Sequence, residues 1–175
     1  MNAGLRPITF FAVRYREYSG KSQVASGFVA NDRGVIGFTA PNLGPGQSDE
    51  VALGGEHSPQ ATERVEVAVD FVEFADRTTW GPDLYKNSRL LVGMRAGARE
   101  AQAYLKGILQ SGGDYGLASA TAAEHLPLEP PKNSDPEWER GFRLGKDTIQ
   151  RRVRQAMEST GREAAAKILN KPLDY

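Results

Sequence analysis

Few side chains in this 175-residue chain have the chemistry to break or make bonds. Cysteine is absent, and the two histidines, His57 and His125, both stand in loop-like surroundings. Glu56-His57 lacks the helical spacing of a zinc-binding pair, so no metal centre is expected. A Ser-His-Asp arrangement would have to recruit a loop histidine, and no Gly-x-Ser-x-Gly elbow is present. Carboxylates come next. Glu66 and Asp70 share one face of an alternating segment, with backbones roughly 13 Å apart. That exceeds the spacing of a retaining glycosidase pair, and the solvated face of a strand accounts for both. Asp70, Glu73 and Asp76 would suggest catalysis if they converged in a deep pocket. No Walker A or Gly-x-Gly-x-x-Gly pattern follows a strand, so no nucleotide cradle is read. The sequence assigns no catalytic residue, cofactor or metal, and a non-enzymatic protein is expected.

Basic and aromatic residues offer binding chemistry instead. Phe10, Arg14, Arg16 and Tyr18 lie in one β-prone stretch, where an exposed strand would pair with a neighbouring chain. Covering of that strand by the C-terminal helices is the simpler expectation. Arg151, Arg152 and Arg154 sit in a helical segment, with Arg140, Arg143 and Lys146 upstream. Glu137, Glu139, Asp147 and Glu158 interrupt this stripe, so a solvated face or an acidic protein partner fits better than nucleic acid. Trp80 reads as a core plug before a sugar-stacking platform. Net charge is zero but unevenly divided. Residues 1–85 hold 7 Lys/Arg against 11 Asp/Glu; residues 86–175 hold 15 against 11. Opposite halves of this kind steer association, within the chain or between copies.

These residues must be positioned by strands in the first half and helices in the second. Pro7–Arg16, Gln23–Ala30 and Val35–Thr39 are β-prone, separated by Ser19-Gly20 and Asn31-Asp32-Arg33-Gly34 turns. A loop follows at Pro41–Gly46, and Asp49–Leu53 reads as a short edge strand. Val65, Val67, Val69 and Phe71 alternate with Glu66, Ala68 and Asp70, putting the valines on a buried face. The phase changes at Phe71-Val72, which predicts a β-bulge or sharp twist there. Ala75-Asp76-Arg77 turns the chain into Thr78-Thr79-Trp80, and Gly81-Pro82 ends the hairpin. Together these segments predict an antiparallel sandwich of about six or seven strands.

From Asp83 the period becomes helical. Leu90, Leu91, Met94, Ala98, Ala101, Leu105 and Ile108 form one stripe, ending near Ser111-Gly112-Gly113. Residues 112–135 read as an extended linker. Asn133-Ser134-Asp135-Pro136 is a helix start, and Trp138, Phe142, Gly145, Ile149, Val153 and Met157 form the next stripe. Gly161 stops that helix and Arg162–Asn170 makes a shorter one. Gly93-Met94-Arg95-Ala96-Gly97 echoes Gly141-Phe142-Arg143-Leu144-Gly145. Glycine costs about 1 kcal/mol inside a helix, so the two pairs predict helices crossing at the glycines, or one lying on the sheet. The apolar runs are too short to span a bilayer.

Phe74-Ala75-Asp76-Arg77-Thr78-Thr79-Trp80-Gly81-Pro82 resembles a segment of uncharacterised bacterial proteins, many apparently exported. In these an Ig-like sandwich ends in Phe-Ala-Asp-Gly-Thr-Thr-Trp-Gly-Pro, followed by helices; Pro45-Gly46 also fits the pattern. The likeness covers about half of the chain, and Arg77 stands where the pattern carries Gly. It implies an α+β protein with an Ig-like β-sandwich, and export if the chain is processed. The opening residues lack the basic region and apolar core of a signal peptide, so a cytoplasmic location is the other expectation.

The expected organisation is a sandwich over 5–82, a helix over 83–111, a linker over 112–135 and helices over 136–175. The expected role is a structural or accessory subunit that assembles with other proteins or with copies of itself. A β-sandwich module for a small molecule or glycan is the alternative.

Overall fold

The computed structural model describes residues 1–32, 42–52, 62–132 and 135–173. The chain divides into two compact units, Met1–Asn87 and Ser88–Tyr175.

The first unit is built on one antiparallel sheet of order β2-β1-β3-β4. Its strands are β1 (Ile8–Ser19), β2 (Ser22–Asp32), β3 (Arg64–Phe74) and β4 (Thr79–Trp80). This corrects the expectation of an Ig-like sandwich of six or seven strands. Among the described residues the β-forming positions are gathered into three long strands and one of two residues, rather than distributed over many short ones. Leu43 makes a single bridge to Ile8, and residues 49–52 form no strand. Val35–Thr39 and Leu53 lie outside the described residues.

β1 runs through the middle, paired with β2 on one side and β3 on the other. Its side chains alternate between the two faces of the sheet. One face carries a small core of Ile8, Phe11, Val13, Leu43 and Val72, with Val51 and Phe74 packed against it. Tyr15 lies on this face too. Its ring covers Gly27 of the adjacent strand, where a Cβ would stand 2.9 Å from the Tyr15 hydroxyl. On the opposite face Phe10 and Phe71 meet edge to face, with ring centroids 6.0 Å apart.

The register between β1 and β3 breaks at one informative place. Ala12 pairs with Phe71, but Val13 pairs with Val69. Asp70 is therefore the extra residue of a bulge, one position before the phase change in the sequence. Beyond Phe74 the chain reverses through Ala75-Asp76-Arg77. The Arg77 amide donates to the Phe74 carbonyl at 2.9 Å, and the Phe74 amide to the Thr78 carbonyl at 3.0 Å. Arg77 closes this three-residue loop at φ 68°, the left-handed position usually held by glycine. Its guanidinium sits 3.3 Å from the buried Glu73 carboxylate. The exposed Asp76 carboxyl is held below its ordinary value, first by the Thr78 hydroxyl and amide and then by Arg6.

The second unit is helical: α1 (Asn87–Ala122, whose first residue belongs to the sheet unit), α2 (Pro136–Ser159) and α3 (Arg162–Asn170). Gly113 breaks α1 with φ 60° and ψ −154°. Helix resumes after it as far as Ala122, which replaces the front of the expected linker with ordered structure. Leu117 and Thr121 of that turn are buried; alanine-rich sequence and Leu117 suffice once a face is covered. α2 starts where the sequence indicates. Asp135 is its N-cap, accepting from the Glu137 and Trp138 amides at 3.0 and 3.3 Å, with Pro136 at the first helical position. Gly161, at φ 84°, separates α2 from α3.

Candidate functional site

The four predicted residues of the first strand part company in the structure. Phe10 is fully buried against Phe71 and cannot serve a partner. β1 is an interior strand, so its backbone cannot accept another chain. Arg14, Arg16 and Tyr18 do share the Phe10 face, by alternation, and lie towards the other end of the strand. Tyr18 is engaged: its hydroxyl donates to Glu66 Oε2 at 3.1 Å, and the Arg64 guanidinium covers its ring at 4.2 Å. Arg64 also reaches Glu66 Oε1 at 3.5 Å.

That small cluster has a consequence for Arg16. Glu66 is the residue directly opposite Arg16 in the register, yet its carboxylate is turned to Tyr18 and Arg64. Arg14 faces Ala68 across the strands. Neither Arg14 nor Arg16 has a hydrogen-bond or ion-pair partner among the described residues. Both line a cleft of about 400 Å³ with Glu66, Ala68, Leu84 and Tyr85. Tyr85 leans on Phe28 of β2, ring centroids 5.3 Å apart, and forms the aromatic wall.

Asp70 holds that wall in place. It is fully buried, which corrects its reading as a solvated strand residue; the bulge takes it out of the Glu66 alternation. Its carboxylate accepts from the Leu84 amide at 3.1 Å, the Tyr85 amide at 3.2 Å and the Asn87 side-chain amide at 2.9 Å. Its carbonyl accepts from the Asp83 amide at 2.9 Å. A single inward carboxylate thus fixes the segment bearing Leu84 and Tyr85 to the sheet. Glu73 is engaged by Thr9 and Arg77, and Asp76 by Thr78 and Arg6. The three carboxylates have separate partners and separate structural tasks. Among the described residues no group of three His, Cys, Asp or Glu could hold a metal ion. His125 is exposed beside Glu124, and His57 lies outside the described residues.

A second open feature lies on β3. β4 pairs with Val72 and Glu73 alone. The outward backbone groups of residues 64–69 have no partner among the described residues. The valines expected in the core are exposed: Val65 by 44%, Val67 by 54% and Val69 by 42%. They lie on the face of Val13 and Tyr15, opposite Glu17, Tyr15 and Val13 in turn, but the core cluster occupies the other end. Trp80, opposite Val72 on this face, is 60% exposed. It is a surface residue rather than a core plug, because its strand is two residues long at the sheet margin.

The helical unit uses its predicted residues for its own assembly. A Cβ on Gly93 would strike the Trp138 carbonyl, and one on Gly97 the Phe142 carbonyl. Gly141 and Gly145 stand likewise against the Leu90 and Met94 carbonyls. α1 and α2 cross at these four positions with backbones in contact. Arg154 donates through Nε to the Thr121 carbonyl at 2.6 Å and through a terminal nitrogen to Ala123 at 3.3 Å. Gln150 reaches the Ala123 carbonyl at 2.7 Å, and the buried Lys146 reaches Leu126 and Leu128 at 3.3 and 3.1 Å. These donors satisfy carbonyls at and beyond the end of α1, where helical partners run out. Arg154 is therefore a helix-end clamp. Arg152 is half-buried, and Arg151 alone of the three is exposed.

Sequence reasoning missed the valine surface, the inward Asp70 and the Tyr85 wall. It also missed the clamp, although Lys146, Gln150 and Arg154 are spaced by four and share a helix face. No described helix is long and apolar enough to cross a membrane. Comparison of the chain with protein-family models, curated proteins and solved structures returned no match in any of the three.

Proposed function

We propose that the protein is a non-enzymatic assembly subunit whose sheet accepts a further strand along residues 64–69 of β3. The observation that carries this reading is the coincidence of unpartnered backbone with three exposed valines on one stretch. An open edge offers backbone hydrogen bonds to an extended segment, and alternate side chains set its register. Sheet edges in soluble proteins are ordinarily blunted by lysine, proline or a covering element; residues 64–69 contain neither lysine nor proline.

The first partner this edge fits is a second copy. Val65-Glu66-Val67-Ala68-Val69 has valine at alternate positions in both directions. Antiparallel pairing about Val67 sets Val65 opposite Val69 of the partner, so valines meet valines. Glu66 then faces Ala68, and no like charges oppose. Val67→Lys places a charge at the centre of that stripe. The expected result is a concentration-dependent dimer in sedimentation equilibrium that becomes monomeric in the variant. A native protein that stays monomeric at high concentration and binds no alternating valine peptide removes the reading.

A further inference from the structure

The cleft beside Tyr85 has features that strand addition does not use. Arg14 and Arg16 are two residues apart on one strand face, with backbones about 7 Å apart. Both residues line the same cavity. One carboxylate, Glu66, stands directly across the strands from Arg16. Glu66 is nevertheless held by Tyr18 at 3.1 Å and by Arg64 at 3.5 Å. The cleft therefore presents two arginines without a direct ion-pair partner among the described residues, with the engaged Glu66 on its margin, although residues 1–85 carry an excess of four acidic groups. Its volume of about 400 Å³ falls in the range of small-ligand sites.

The remaining walls specify more than charge. Leu84 and Ala68 are apolar, and the Tyr85 ring is braced by Phe28 at 5.3 Å. Leu84 and Tyr85 are fixed through their amides by the buried Asp70 carboxylate. The aromatic wall is thus built before any ligand arrives, which lowers the cost of ordering it.

We infer that this cleft binds a small organic phosphate monoester with a flat or apolar body. The phosphate group sits between Arg14 and Arg16, and the body lies against Tyr85 and Leu84. A phosphate monoester suits this site better than a carboxylate for a geometric reason. It carries close to two charges and three free oxygens, so two guanidinium forks can engage it from different sides. A carboxylate carries one charge on two oxygens, and would leave the second arginine's charge unbalanced. No bond is made or broken in this assignment. It stands whether or not β3 recruits a strand.

The test is titration of the full chain with phenyl phosphate, inorganic phosphate and benzoate, followed by calorimetry and by amide NMR shifts. Phenyl phosphate is expected to bind saturably and more tightly than inorganic phosphate, with benzoate weakest. Shifts are expected at Arg14, Arg16, Ala68 and Tyr85. Arg14→Gln and Arg16→Gln should each weaken phenyl phosphate at least tenfold. Tyr85→Ala should weaken phenyl phosphate and leave inorganic phosphate unchanged. Arg14→Lys and Arg16→Lys, which keep the charge and the fold but lose the fork, should fall between native and Gln. No saturable binding at millimolar phenyl phosphate would overturn the assignment. So would equal binding of benzoate, unchanged affinity in both Gln variants, or shifts confined to other parts of the chain.

Discussion

The helical unit and the sheet unit treat their polar groups in opposite ways. In the helical unit, long side chains reach across to carbonyls that secondary structure leaves over. Lys146, Gln150 and Arg154 serve the end of α1, and Gln102 serves the end of α3 through the Ile168 and Lys171 carbonyls at 2.9 and 2.7 Å. In the sheet unit, the edge of β3 and two guanidinium groups are left without partners among the described residues. The same residue type, arginine, is engaged at Arg154 of the helical unit and at Arg64 and Arg77 of the sheet unit, and stays open at Arg14 and Arg16. Arginine count therefore says little about binding. What matters is whether a carbonyl or carboxylate already answers the guanidinium.

The sharpest way to break this contrast is to open the closed unit. Gly97→Leu would drive a side chain into the Phe142 backbone, with no flexible neighbour to yield. A loss of about 3 kcal/mol or more is expected, seen as an early helical transition in circular-dichroism melting. Native-like melting of Gly97→Leu would mean that the two helices do not depend on backbone contact.

A somewhat smaller effect is expected where the sheet unit is itself closed. Asp70→Ala leaves the Leu84 and Tyr85 amides and the Asn87 side chain without their acceptor. Stranded donors of this kind cost about 3 kcal/mol in sum once partial hydration is allowed. Urea unfolding measures it. The variant should also lose phenyl phosphate binding, since the aromatic wall is no longer tethered. Unchanged stability would show that water replaces the carboxylate freely.

The smallest effect concerns the turn. Arg77 occupies a left-handed position at φ 68°, a conformation that costs a non-glycine residue about 1 kcal/mol. Arg77→Gly should stabilise the hairpin by up to that amount, less the contribution of the ion pair to Glu73. A thermal midpoint that rises by a few degrees supports this balance. A fall would show that the buried Glu73 carboxylate needs its cation more than the turn needs glycine.

Features set by local chemistry were legible in the sequence. Asp135-Pro136 marks the start of α2, Gly161 its end, and the paired glycines their crossing, because each depends on a few neighbouring atoms. Features set by long-range pairing were not. Alternation puts Val65, Val67 and Val69 on one face, but whether that face is covered depends on other parts of the chain. The phase change at Phe71-Val72 announces a bulge. Which residue is extra follows from the register against β1, and it is Asp70. The strand count failed for the same reason: β-forming residues show propensity, not how far a strand stays paired. Of the candidate binding residues, Arg14 and Arg16 were visible as an alternating pair. Tyr85 was not, since nothing local links it to Phe28.

Two asparagines near the limits of the sheet unit bear on how it could be isolated. Asn2 is buried and donates to the Arg6 and Leu43 carbonyls at 2.9 and 3.0 Å. Asn87, equally buried, donates to Asp70. A fragment cut to residues 5–82 would discard both clasps and leave the Asp70 carboxylate with none of its three donors. A fragment spanning 1–87 keeps them. The bounds of a fragment that keeps these bonds are thus set by two side-chain amides, several residues outside the outermost strands.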